Sequence, residues 1–160
     1  MKMQVLVPLM ALSLLSSLAY SNVLGPGMLV ADPVFVFFAW ICLVDHWSRV
    51  AVVGGGFILY RIWGTVATPI EVALPFLIIF FLIRVIRGGV SPYHPWRRLL
   101  IVLPALVVAG WFSRNLLDLD LHRGPSGVFI DLLIAFIVSA ALFPLLDLTR
   151  PLLRSARFPQ

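Results

Sequence analysis

The sequence predicts an all-α fold, an integral membrane bundle of about six transmembrane helices. Three observations lead there. Of the residues, 61% are hydrophobic and only 12% charged, whereas a soluble domain carries about a quarter charged residues. The apolar runs are continuous rather than alternating, which excludes a transmembrane barrel. Finally, the 160 residues, if all helical, would extend roughly 240 Å, enough for about eight crossings of a ~30 Å hydrocarbon core before loops are subtracted. With loops, five or six crossings remain. Residues 1–160 therefore form a single transmembrane domain, and any chemistry must lie inside the bundle or at its rim.

The elements follow in order. Val5–Tyr20 is an apolar run carrying a stripe of Ser13, Ser16, Ser17 and Ser21. It also fits a cleaved secretory signal, with Lys2 at the start and Ser17-Leu18-Ala19 as a small-x-small site. Pro33–Val44 is uniformly apolar. Val50–Trp63 contains Gly54, Gly55 and Gly56 and then Arg61; the glycines fit either close helix packing or a break, which would make this a broken or re-entrant helix. It should form a short hairpin with Ile70–Val85. Leu99–Phe112 holds the small pair Ala105 and Ala109, and Gly127–Leu146 precedes a basic tail, 147–160. Several runs fall short of the roughly 20 residues of a perpendicular span, so loop residues extend them or the bundle is locally thin.

The charges set an orientation. Lys2, Arg49, Arg84, Arg87, Arg97, Arg98, Arg150, Arg154 and Arg157 fall on one side of this arrangement, against Arg114 and Arg123 on the other. Cytoplasmic loops retain positive charge, so both termini are placed in the cytoplasm. Arg84, Arg87, Arg97, Arg98, Arg150 and Arg154 act as basic anchors. The net charge of +5 thus reads as topology and not as a nucleic-acid interface. Trp47, Tyr93 and Trp96 lie at the proposed cytoplasmic ends, with Tyr20, Trp63 and Trp111 at the outer ends, as amphipathic rings prefer. Trp40 and Tyr60 lie deeper.

Ionisable groups within spans are costly and draw attention to themselves. Arg61, Glu71 and Asp131 stand out. Arg61 and Glu71, on either side of the short third-to-fourth connection, are expected to neutralise each other across that hairpin. Asp131, Ala135 and Ser139 recur at i, i+4 and i+8, one stripe of the last span, narrow enough for a helix to approach closely as a packing or partner seam.

Signals for enzyme chemistry are missing. There is no phosphate loop, no zinc-binding His-Glu-x-x-His and no Gly-x-Ser-x-Gly elbow. Cys42 is the only cysteine, which rules out an internal disulfide or thiol metal cluster. Asp118, Asp120, His122 and Arg123 gather in an outer loop but are read as a solvated cap. The proline-rich connection from Gly88 to Pro95 is a turn between Arg pairs, suited to anionic headgroups or to plain connection. No catalytic residue, cofactor or metal is expected.

The order and local wording of these features resemble the bacterial rod shape-determining MreD family. Asp32-Pro33 opens the second span, a glycine-rich third span runs from Gly54 to Gly64 and leads through Thr68-Pro69 into a tight hairpin, and Ala140-Ala141-Leu142-Phe143-Pro144-Leu145-Leu146 passes into a tail with Arg150 and Arg154. The chain departs from the family at Arg61, where members often carry an acid, and at Pro69-Ile70-Glu71, which replaces a Pro-x-Gly turn. The resemblance implies a non-enzymatic membrane scaffold of the cell-elongation, peptidoglycan-synthesising machinery, with MreC-like proteins and peptidoglycan synthase components as partners. It also implies a six-helix fold similar to that of the S components of energy-coupling-factor transporters. A substrate-binding subunit of a vitamin-type transporter, with a cavity lined by Arg61, Trp63, Glu71 or Asp131, is the alternative.

Overall fold

The computed structural model describes residues 3–24, 32–64, 68–89, 95–116 and 125–153. Among them are six α-helices and no strand: α1 (Met3–Leu24), α2 (Pro33–Val44), α3 (Trp47–Gly64), α4 (Pro69–Gly89), α5 (Pro95–Leu116) and α6 (Pro125–Leu153). Proline begins α2, α4, α5 and α6. Its ring presets the helical φ, and the N–H it lacks would have no partner in a first turn.

One helix is at the centre. In α2 every residue from Pro33 to Leu43 is buried, and α2 touches all five others. Its sequence explains this, since a helix apolar on every side has no face to offer water and is stable only when surrounded. Asp32 caps it, with Oδ1 accepting from the Val34 N–H at 2.9 Å. At 12 residues it is about 18 Å long. An aromatic cluster links α2 to α3 and α4: Phe76 meets Phe35 and Phe38 edge-on, with ring centroids 5.0 and 5.2 Å apart, and Phe57 meets Phe37 edge-on at 6.0 Å.

Of the described helices, one stretch, Pro69–Arg87, is by length and composition long and apolar enough to cross a membrane; Leu6–Ala19, Pro33–Val44 and Leu133–Thr149 are shorter apolar stretches. The helices also run past the expected limits. α5 begins at Pro95, so Arg97 and Arg98 are helical, and α6 reaches Leu153, so Asp147 lies within a helix and not in a tail.

The break that would interrupt the third helix does not occur. α3 is continuous through its glycines, and their use is close packing. A methyl placed on Gly54 would lie 2.8 Å from Cε2 of Phe38, whereas one on Gly55 meets nothing within 4 Å. Phe38 is itself buried and wedged against Phe76, so it has little room to yield. Gly54→Ala should therefore cost about 1–3 kcal/mol through overpacking, while Gly55→Ala should be neutral or stabilise by up to about 1 kcal/mol through helix propensity. The buried thiol of Cys42 provides the readout: reaction with a thiol-specific dye during heating reports unfolding of each variant.

Candidate functional site

Among the described residues, the charged groups inside the bundle gather at the two ends of α2. At its N-terminal end, the Arg61 guanidinium from α3 pairs with Asp32 Oδ2. Its Cζ also lies 4.6 Å from the centroid of the Phe35 ring and 5.8 Å from that of Phe76, a placement in which ring quadrupoles add to the carboxylate's attraction. The Asp32 side chain is 7% exposed and that of Arg61 21%. Asp32 thus does two jobs, since its other oxygen caps α2, where a negative charge suits the helix dipole.

Glu71, the expected partner of Arg61, is engaged elsewhere. Its Oε2 accepts the Thr68 N–H at 2.7 Å, while the Val72 N–H donates to the Thr68 carbonyl at 3.2 Å. Thr68-Pro69-Ile70-Glu71 is a capping-box sequence, whose glutamate at the third helical position reaches back to the capping residue. The short spacing suggested a cross-hairpin pair, but a local backbone donor captures the carboxylate, and Arg61 reaches across to α2 instead.

At the C-terminal end of α2 a second cluster forms. Arg98 Nη1 pairs with Asp147 Oδ2, and the indole Nε1–H of the fully buried Trp40 donates to Asp147 Oδ1 at 3.1 Å. One carboxylate thereby joins α2, α5 and α6. Close by, Arg87 Nη1 donates to the Cys42 carbonyl at 3.3 Å, placing a cation where the last carbonyls of α2 concentrate negative charge. The two-residue turn beyond is fastened by Arg49 on Asp45 at 3.2 Å.

The basic anchors therefore divide. Arg84 and Arg97 are exposed, Arg87 is half-buried, and Arg98 is buried within an internal pair, which corrects its expected role as a surface anchor. Arg150 lies in α6 with its side chain outside the described residues, and so does Asp131; Arg154 and the Asp118, Asp120, His122 and Arg123 group also lie outside them. Ala135 and Ser139 are fully buried, so this part of the stripe faces the bundle interior. Ser139 Oγ has no hydrogen-bond partner there. The serines of α1 bond to their own helix, Ser13 Oγ to the Met10 carbonyl and Ser16 Oγ to the Leu12 carbonyl, each at 2.8 Å.

Asp32 and Asp147 hold both clusters; from sequence Asp32 stands out only as the residue that opens the second span with Pro33, and Asp147 only as the start of the tail. Asp147 follows Phe143 by four positions on one face of α6, a spacing that continues the buried side of the helix. Among the described residues no group of three metal-ligating side chains converges. Among the described residues, cavities open at the bundle surface at two places. One, of about 330 Å³, lies between α5 and α6. The other, of about 310 Å³, lies where Phe38, Gly54, Gly55 and Phe76 meet. The second is lined by apolar side chains and glycine, and the first by apolar side chains together with Arg98 and Asp147. Compared with known proteins, the chain matches no family, no curated protein and no solved structure.

Proposed function

We propose that this chain is a multi-pass protein of the bacterial inner membrane, with both termini cytoplasmic, that acts without catalysis as a scaffold of the cell-elongation machinery. The observation that carries the membrane reading is the outside of the bundle. Each of the five helices around α2 exposes large apolar side chains: Leu12 and Leu15 on α1, Leu59 on α3, Val85 on α4, Leu100 on α5 and Leu148 on α6 are all more than 60% exposed. In water such a girdle would drive aggregation, whereas in hydrocarbon it is the required surface. The exposed Arg84 and Arg97, with Trp47 and Trp96 also exposed, belong to the end assigned to the cytoplasm.

A scaffold is favoured over a transporter subunit by the lining of the two surface cavities described above. Recognition of a polar vitamin needs several convergent donors and acceptors, whereas one cavity is lined by apolar residues and glycine and the other adds to its apolar walls only the Arg98–Asp147 pair. The elongation role and its MreC-like and peptidoglycan synthase partners come from the resemblance set out in the sequence. In the test, the tagged chain is purified from its native membranes in mild detergent after its gene has been placed under depletion control. Co-purification of an MreC-like protein, and rounding of rod-shaped cells on depletion, are expected. Normal rods after depletion, or a polar vitamin retained in native mass spectrometry, would overturn the scaffold.

A further inference from the structure

The cavity between α3 and α4 is a groove on the outside of the bundle. Phe38 of α2 forms its floor, Ala51 and Gly55 one wall, Phe76 and Phe80 the other, and Trp47 one end. Trp47, Ala51 and Gly55 recur at four-residue intervals, one stripe of α3. A methyl on Gly55 would meet nothing within 4 Å, so the side chain missing there leaves this space open. Its volume of about 310 Å³ corresponds to roughly ten water-sized groups at about 30 Å³ each. One stretch of acyl chain fills such a space, whereas a helix about 10–12 Å across has far more bulk than it holds.

The groove itself is uncharged, but the α4 face that lines it carries a cation one turn further on. At about 100° per residue, with Phe76 at zero, the lining residues Phe80 and Leu77 fall at roughly 40° and 100°, and Arg84 falls between them at roughly 80°. Arg87, on the same arc at about 20°, donates to the Cys42 carbonyl. Arg84 is exposed and has no ion-pair partner among the described residues. The acid of the adjoining α2–α3 turn, Asp45, is taken by Arg49. Because α3 and α4 are consecutive, closely connected and packed together, they are antiparallel. The start of α3 therefore lies beside the end of α4, and Trp47 and Arg84 stand at the same end of the groove.

We propose that this groove binds one anionic phospholipid, with a stretch of acyl chain between α3 and α4 and the negative headgroup on Arg84. The occupant must combine a slender hydrocarbon segment for the groove with a negative group for the cation at its end. A phospholipid does both, and Trp47, which is 57% exposed, provides the amphipathic ring found at headgroup level. A lipid without net charge leaves Arg84 unanswered, and a free phosphate leaves the groove empty. The inference rests on the membrane reading above but not on the scaffold.

Native mass spectrometry of the full chain, released from mild detergent with added phosphatidylglycerol, phosphatidylcholine or inorganic phosphate, tests it. Phosphatidylglycerol should be retained about fivefold over phosphatidylcholine of equal chain length, the effect expected of one cationic side chain on an anionic lipid. Inorganic phosphate should leave no adduct. Arg84→Gln should bring the two lipids to parity, whereas Arg97→Gln, at an exposed arginine of α5, should leave the preference intact. Gly55→Leu fills the groove where no protein atom stands in the way, and Ala51→Leu fills it one turn earlier. Either should abolish retention of both lipids, while Leu100→Phe, on the outside of α5, should not. Dye reaction at Cys42 on heating confirms which variants are folded. Equal retention of the two lipids by the parent chain, an equal loss of preference in Arg97→Gln, undiminished retention in a folded groove-filled variant, or displacement of the lipid by inorganic phosphate would overturn the site. So would a membrane protein that co-purifies with the parent chain and is lost from Gly55→Leu while the lipid stays, since the groove would then seat a partner. Vesicle flotation separates the two readings: a chain that floats with vesicles yet shows no lipid preference loses only this inference, and one that does not float loses both.

Discussion

Replacing Asp32 by alanine should lower the stability of this protein more than any other single change in charge. The substitution leaves the largely buried Arg61 beside two aromatic rings without this carboxylate, a type of loss that costs about 3–5 kcal/mol when the pair is buried. It also removes the acceptor of the Val34 N–H, worth about 1 kcal/mol as a helix cap. Asp32→Asn separates the contributions, because the amide oxygen can still cap α2 while the charge is gone. The asparagine variant should lose about 3 kcal/mol and the alanine variant about 1 kcal/mol more. For a chain of this size those losses lower the midpoint of dye reaction at Cys42 by roughly 6–16 °C. In the double variant Asp32→Asn/Arg61→Gln the two losses should be less than additive. Glu71→Gln, which touches only the cap of α4, should cost under about 1 kcal/mol. A Glu71 effect equal to that of Asp32 would contradict the assignment.

The second large effect is expected at Asp147. Its carboxylate answers two donors from two helices, Arg98 and Trp40, so Asp147→Ala leaves a largely buried guanidinium and a fully buried indole N–H without this acceptor. Asp147 is itself 34% exposed at its side chain, which admits some solvent and moderates the loss to about 2–4 kcal/mol. Trp40→Phe removes only the indole donor and some volume, and should cost about 1–2 kcal/mol. If the carboxylate is the shared acceptor, Trp40→Phe should have less effect in the Asp147→Ala background than in the parent chain. Full additivity in that cycle, measured by the same thermal readout, would show that the indole bond contributes independently.

The helical architecture was readable because its signals are local. Proline-led starts, uninterrupted apolar runs and the uniformly apolar Pro33–Val44 each depend on neighbours within a few turns, and the six segments appear in the structure in their expected order. The polar clusters depend on partners distant in sequence. Arg61 and Asp32 are 29 positions apart, and nothing in either neighbourhood shows that they meet. Glu71 was misread for the opposite reason, since a long-range role was assigned to a residue whose partner, Thr68, stands three positions before it. The capping-box spacing was visible, but the rarity of charge in apolar surroundings outweighed it. At Asp147 the apolar run ends but the helix continues to Leu153. The glycines of α3 showed the same ambiguity, because a run of glycine is equally compatible with a break and with a close approach, and only the ring of Phe38 distinguishes them.

The shared carboxylate of Asp147 also sets an order in time. Trp40 precedes its acceptor by 107 positions and Arg98 by 49. At about 5–20 residues per second of synthesis, the indole N–H waits roughly 5–20 s, and the guanidinium several seconds, before the group that satisfies both has been made. Until α6 arrives, the C-terminal end of α2 has the Arg87 bond to the Cys42 carbonyl but not the Asp147 carboxylate, and the nascent chain must keep the Trp40 and Arg98 donors in contact with water, headgroups or another protein. The sixth helix is therefore the one that completes the polar cluster begun by the second.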